Sequence, residues 1–449
     1  MTAEGPMRAR DCARLLESPE PPFGNYFVST YPPFSCWTEQ AVREYRRFLD
    51  APRPDPEQVP LGLYVHVPFC IERCQYCYYL STDQELQEME PYLLALGDEL
   101  RGYARSEAFA DRTLSFVYFG GGTPSILSPS RVAQLMRTLQ GAFPWTGALE
   151  ISFECAPRSV TREKIEKLRD AGVTRISLGV QQLDDGVLAA NGRVHLVDDV
   201  ERAWSAIRSA GFDVVNLDLM TGLVGETDET YHRSLDRVLD WQPESVTIYQ
   251  LEIPLNTSLY RSISDGSFAS TPASWDQKRA RLRDGLARLE SQGYSVRSAY
   301  TAVRDPERHG FVYQDEQYRG ADLLGIGASA FSYVAGIHQQ NQASLQSYLR
   351  SSSAGELPLW RAWVLSDSER LVRELVLQLK LGKARRDYFH MKFGVDVLER
   401  FAEPLAYLES KGWLRTAEQG IEMTREGLLR ADRIITAFYL PEHRGLRYS

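Results

Sequence analysis

LGLYVHVPFCIERCQYCYY, residues 61–79, decides the fold and much of the chemistry. Its first seven residues form an apolar run of strand length, rich in Val, Leu and Tyr, as strands buried on both faces are. The run stops at Pro68, and three cysteines follow: Cys70, three residues, Cys74, two residues, Cys77. They therefore lie on a loop at the C-terminal edge of a predicted strand. Three thiolates on one short loop can hold three irons of a cubane cluster and leave the fourth iron open to an outside ligand. Zinc is the competing use, with His66 as fourth ligand, but its place on an extended strand suits no common zinc loop. Cys12, Cys36 and Cys155 share no such spacing and read as small apolar residues.

Downstream, further apolar runs of strand length recur: LSFVYF (114–119), LEISF (149–153), TRISLGV (174–180), DVVNLDL (213–219) and SVTIYQL (245–251). Amphipathic helical patterns separate them. One carries Leu86, Met89, Leu93, Leu96 and Leu100 at spacings of three and four. Another opens with Ser128 as N-cap and Pro129 in the first turn. Gly172, Gly211 and Gly293 each stand between a helix and the next strand. Strand–helix alternation repeated six times predicts a parallel α/β sheet with right-handed crossovers, a partial (β/α)6 barrel or a doubly wound sheet. The unusual residues fall at or just after strand C-termini: Pro68–Cys70, Gly120–Gly122, Glu154, Gln181, Asp218 and Glu252. That is the end at which barrel active sites assemble.

Outside this core the character changes. Residues 1–60 are Pro-rich and irregular apart from a helical pattern near TEQAVREYRRFLD, an extension expected to pack on the core. Residues 61–340 form the barrel unit. Beyond about 341 helical patterns dominate, ending in helix, hairpin (Trp413–Leu414 with Ile421–Met423) and helix, a small winged-helix-like unit. Such units often bind DNA. Here a net charge of −9 and a pI near 5.5 favour a structural or lid role and argue against nucleic-acid or anionic-membrane partners. No apolar run has transmembrane length and the start lacks a secretory core. Six cysteines in 449 residues are too few for a disulfide framework. A cytoplasmic protein is expected.

FVYFGGGTPS places three glycines directly after a strand, where backbone can approach a ligand closely. Glu154, at a buried strand end, needs a cationic or hydrogen-bonding partner; a salt bridge to Arg158 is the bland alternative. Gln181, Arg193 and Asp218 supply an amide, a guanidinium and a carboxylate at neighbouring strand ends, a set suited to a polar, charged ligand. His195 offers acid–base chemistry, although an exposed surface histidine is the plainer reading.

Taken together these residues resemble the HemN-like radical S-adenosylmethionine (SAM) enzymes, relatives of oxygen-independent coproporphyrinogen dehydrogenase. STYPP near Tyr31, YVHVPFCIERCQYC, YFGGGTPS, ISLGVQQLDD, GRVH, NLDLMTGL, DLLGIGASAFS and the WLRT…GIEMTREGLLRAD tail carry the resemblance along nearly the whole chain. It implies a [4Fe–4S] cluster on Cys70, Cys74 and Cys77, and two SAM molecules. Tyr64, Tyr76, Gly121, Glu154 and Phe331 would line the cluster-bound SAM. Gly122, Thr123, Gln181, Arg193 and Asp218 would line the second, with Glu252 beside it and Gln314 a weaker candidate.

Departures from the family narrow the expected function. Coproporphyrinogen dehydrogenases carry a further Cys where this chain has Tyr79. Heme chaperones of the group carry a His-Asn…Tyr-Trp segment where this chain reads YQDEQYRG (313–320). The Gly-Leu-Pro of the family is here Gly222-Leu223-Val224. YQLEIPLNTSLY (249–260), with Glu252, is most similar to HemN-like methylases and cyclopropanases of natural-product pathways. That similarity implies transfer of a SAM-derived methylene or methyl group to an unsaturated carbon of a small-molecule substrate. Glu252 would be acid, base or SAM contact. An electron donor such as flavodoxin or ferredoxin and a partner methyltransferase would serve the reaction. A porphyrinogen decarboxylase and a non-catalytic heme carrier are the alternatives.

Overall fold

The computed structural model describes residues 6–24, 27–53, 59–267 and 272–446. Parts of the Pro-rich N-terminal stretches, at 1–5, 25–26 and 54–58, lie outside the described residues. Strand β1 is Leu61–Val67, followed by β2 (Phe116–Gly121), β3 (Glu150–Cys155), β4 (Arg175–Gln181), β5 (Val214–Thr221) and β6 (Ser245–Gln250). The six pair in parallel, each with the next. They are buried on both faces, which is why their sequences are continuous apolar runs rather than alternating ones. The sheet is open, not closed, in keeping with a partial barrel.

It also has more strands than the alternation predicts. After β7 (Ser295–Val296) and β8 (Thr301–Val303), β9 (Asp322–Ile326) joins β1 as a seventh parallel strand. Antiparallel β10 (Phe331–Val334), β11 (Ile337–Asn341) and β12 (Leu359–Val364) extend that edge. The sheet thus runs past residue 341, where helical patterns were expected to take over. β12 (LWRAWV) is an edge strand with Val364 46% exposed, and its neighbour β11 (IHQQN) lacks the apolar run that marks the central strands.

The helices pack outside. Ser128 accepts from the N–H of Arg131 and caps Pro129–Ala142. Gly172, Gly211 and Gly293 have φ of 92°, 67° and 84°, the left-handed region that closes helices. Met89–Ala104 begins later than its pattern suggests, because Leu86 sits 41% exposed in a separate turn. Beyond Asp367–Lys380, β13 (Lys383–Arg385), β15 (Gly420–Met423) and β14 (Leu414–Ala417) make a small antiparallel sheet among short helices, the expected winged-helix-like arrangement. Among the described residues no helix is long and apolar enough to cross a membrane.

Two segments remote in sequence roof the strand ends. Gly24 donates its N–H to Ile253 O at 2.9 Å. Asp432, near the C-terminus, accepts from Val28 N at 2.8 Å and from the buried Lys380 ammonium at 2.7 Å. The N-terminal extension and the C-terminal unit are thereby tied to each other and to the barrel.

Candidate active site and cluster loop

Below this roof, at the C-terminal strand ends, lies a cavity of about 1560 Å³. Cavities for one small ligand typically measure about 300–1,000 Å³, so there is room for more than one. Every candidate site residue of the sequence lines it, from Tyr64 and the cysteines to Glu252, Gln314 and Phe331.

The cysteine loop is closed at its base by Cys70 N–H to Thr82 O (2.9 Å) and Thr82 N–H to Pro68 O (2.7 Å). Glycines bring β2 against it. A Cβ on Gly122 would lie 2.8 Å from Phe69 O and 3.0 Å from Cys70 Sγ, and one on Gly121 would meet the His66 ring at 2.8 Å. Thr123 donates its N–H to Phe69 O (2.8 Å), and its hydroxyl reaches Cys70 Sγ at 3.5 Å. Burial pushes the Cys70 thiol up to about 11 and the Cys77 thiol up as well, so metal would have to displace their protons. The three thiols lie within electrostatic reach of one another. Among the described residues, no three His, Cys, Asp or Glu groups converge on a single metal ion. A cubane suits them better, because each thiolate binds a separate iron. His66 is no ligand either: its Nε2 donates to Leu80 O (2.9 Å), and its Nδ1 is left to accept from the Tyr64 hydroxyl (3.1 Å).

Two carboxylates face this cavity, and both are partly buried. Glu154 accepts from the Tyr118 hydroxyl at 2.5 Å and from the Gly121 N–H. Burial, reinforced by the charge of Asp218, lifts it to about 7. Asp218 accepts from Ser177 (2.8 Å) and Asn216 (2.8 Å), and burial lifts it to about 6. Arg175 is in electrostatic range of Asp218 but pairs with Glu150 at 3.6 Å. The alternative Glu154–Arg158 salt bridge is not formed; Arg158 reaches Val194 O at 3.4 Å instead. Neither carboxylate has a cation in contact among the described residues.

Near Asp218 two polar atoms are buried without partners, Gln181 Oε1 and Arg193 Nε; Tyr76, on the cysteine loop, faces Arg193. Gln181 holds φ at 64°, at a register shift between β4 and β5. His195 is buried (2% exposed), not a surface residue, because it wedges between Arg193 and Val180 O. Glu252 follows β6, in electrostatic range of Lys278 and of Tyr78 and Tyr79. Gln314 lies on the helix Val312–Tyr318. Phe331 packs its ring 5.1 Å from that of Phe34.

Sequence reading missed the aromatic walls. Tyr118 stacks on Tyr313 at 4.5 Å and Tyr78 on Tyr79 at 4.6 Å. Tyr118 was findable, since it shares with Gly120 the face of β2 that points inward. The roof residues Phe27, Asp432 and Arg433 had no local signal.

A partial barrel with a three-thiol loop and two partly buried carboxylates at its strand ends is the architecture of a radical SAM enzyme. The Radical SAM superfamily model matches residues 64–238, and the HemN C-terminal domain model matches 365–430. Oxygen-independent coproporphyrinogen III oxidases of Salmonella typhimurium and Escherichia coli are 30% identical over 409 residues, covering 87% of this chain and 88% of theirs. The heme chaperone HemW of Bacillus subtilis is 27% identical over 84% of this chain and 98% of its own. The structure of coproporphyrinogen III oxidase (HemN) from Escherichia coli superposes with a TM-score of 0.78 over 92% of this chain and 96% of that one, at 27% identity. The chain belongs to the HemN-like family of radical SAM enzymes, which use a [4Fe–4S] cluster and SAM.

Proposed function

We propose that this enzyme transfers a SAM-derived one-carbon unit, methylene or methyl, to an unsaturated carbon of a small-molecule substrate, using two SAM molecules. The pair of partly buried carboxylates without a cation in contact supports this reading best. SAM carries a sulfonium and an ammonium, and an uncompensated buried carboxylate is strongly stabilised by a cation. Glu154 would take the cation of the cluster-side SAM, together with Tyr64, Tyr76, Gly121 and Phe331. Asp218 would take that of the second, with Gly122, Thr123, Gln181 and Arg193. Cys70, Cys74 and Cys77 would hold the cluster, which when bound supplies the electron that cleaves SAM. Rigid strand ends would hold the two ligands in reacting contact. Glu252 and Gln314 would border the substrate end, Glu252 as acid or base.

Flavodoxin or ferredoxin is the class of electron donor expected, and a partner methyltransferase belongs to the same reading. All six cysteines are free, which suits the reducing cytoplasm that a cluster of this kind requires.

A second reading, a coproporphyrinogen oxidase, is favoured by the names of the relatives at 30% identity. The two part on products. The protein would be reconstituted anaerobically with iron and sulfide, then given dithionite and SAM. Comparable 5′-deoxyadenosine and S-adenosylhomocysteine are expected for the two-SAM reaction. Carbon dioxide from coproporphyrinogen III without S-adenosylhomocysteine would overturn it in favour of the second reading. Neither nucleoside from a fully clustered protein would leave a heme carrier.

A further inference from the structure

We propose that Arg193 tunes the reduction potential of the cluster through a hydrogen bond to the sulfur of Cys74. This rests on the assignment of Cys70, Cys74 and Cys77 as cluster ligands. Arg193 Nη1 lies 3.0 Å from Cys74 Sγ. Two bonds from the other side hold the guanidinium there: Nη2 donates to Gly179 O (3.1 Å) and to His195 Nδ1 (3.3 Å). The histidine can accept only because of its own partner. Its Nε2 lies 3.1 Å from Val180 O, a carbonyl that accepts and never donates, so the proton sits on Nε2 and the lone pair on Nδ1. Burial and the Arg193 charge keep His195 neutral, its pKa pushed down to about 3.

Among the described residues no carboxylate contacts Arg193. A partly buried guanidinium stays charged and is stabilised by a nearby counter-charge. The negative charge on the cluster and its thiolates is the one at hand. An N–H donated to a ligating sulfur draws charge from it and stabilises the more negative, reduced cluster. The one-electron reduction thus becomes easier than it would be in an apolar pocket. Nε remains without a partner, so the same arginine still has a donor for a second ligand. His195 is a positioning residue: it touches neither sulfur nor ligand but sets which way Arg193 points.

The simpler role for Arg193, a strap holding the loop to β4, predicts no change of potential once the loop is formed. The wild type, Arg193→Met, Arg193→Lys and His195→Ala would each be reconstituted. Iron and sulfide per chain are measured first, then the midpoint potential by EPR-monitored dithionite titration. A more negative midpoint in Arg193→Met is expected, with Arg193→Lys and His195→Ala in between. A fully loaded Arg193→Met with the wild-type midpoint overturns the proposal. If that variant takes up no iron, unchanged midpoints in both Arg193→Lys and His195→Ala overturn it. A wild type that binds no cluster removes the ligand assignment, and this proposal with it, a failure visible in the iron content alone.

Discussion

The two halves of the cavity are built differently. On the β1–β3 side the walls are mostly backbone: a cysteine loop closed on itself, a glycine triplet pressed against it, and Glu154 held by a phenol and an N–H. On the β4–β6 side they are side chains drawn from separate elements: Asp218 with Ser177 and Asn216, and Arg193 with Gly179, His195 and Cys74. The first half tolerates little change of shape. The second has polar atoms left over, Gln181 Oε1 and Arg193 Nε. Under the proposed reading the first side would hold the cluster with the SAM bound to it, and the second side the other SAM.

The largest expected effect is on the backbone-built side. Replacing Cys70, Cys74 or Cys77 by Ala should abolish both iron uptake and SAM cleavage, measured as iron per chain and as 5′-deoxyadenosine. Retained cleavage would break the comparison outright.

Next come the carboxylates. Glu154→Gln should weaken SAM binding roughly ten- to hundredfold, since a hydrogen bond to a charged group contributes about 1.5–3 kcal/mol. Asp218→Asn should instead lower S-adenosylhomocysteine relative to 5′-deoxyadenosine. Equal effects of the two variants on both products would merge the two halves into one site.

The pH dependence sharpens the same point. Glu154 at about 7 and Asp218 at about 6 lie above their ordinary 4.5 and 3.8. Both therefore hold more protons folded than unfolded between those values. The stability they contribute to the ligand-free protein is full below the ordinary values and lost as pH rises through the folded ones. A cation restores it by favouring the ionised forms. The rise in thermal midpoint on adding SAM should be greater at about pH 8 than at about pH 5. An equal rise at both would detach SAM from these carboxylates.

A smaller effect is expected from Gly122→Ala. Its Cβ would press on Phe69 O and Cys70 Sγ, an overpacking of about 1–3 kcal/mol. The thermal midpoint and the iron content should fall in part, not wholly. Smallest, and confined to turnover, is Glu252→Gln; an unchanged rate would end its role in proton transfer.

Legibility followed the same division. The cysteine loop and glycines could be read because their partners are close in sequence or on the adjacent strand, and because unusual residue types cluster at strand ends. Glu154 and Asp218 were found by position, but not their partners Tyr118 and Ser177, which are ordinary residues on neighbouring strands. His195 was misread as exposed since nothing local reveals that Val180 O and Arg193 enclose it. The β11–β12 edge is hard to read because β11 (IHQQN) is polar and the short apolar β12 (LWRAWV) has no strand-like partner beside it in sequence.

Local chemistry alone therefore determined the class: apolar runs that must be buried as parallel strands, and thiols spaced for a cluster. Tertiary structure decided which polar groups are desolvated and which stay unpaired. It also decided that Glu20 and Val28 near the N-terminus and Asp432 near the C-terminus, more than 400 residues on, close over one cavity. Burial and pairing are properties of the assembled neighbourhood, and no single segment carries them.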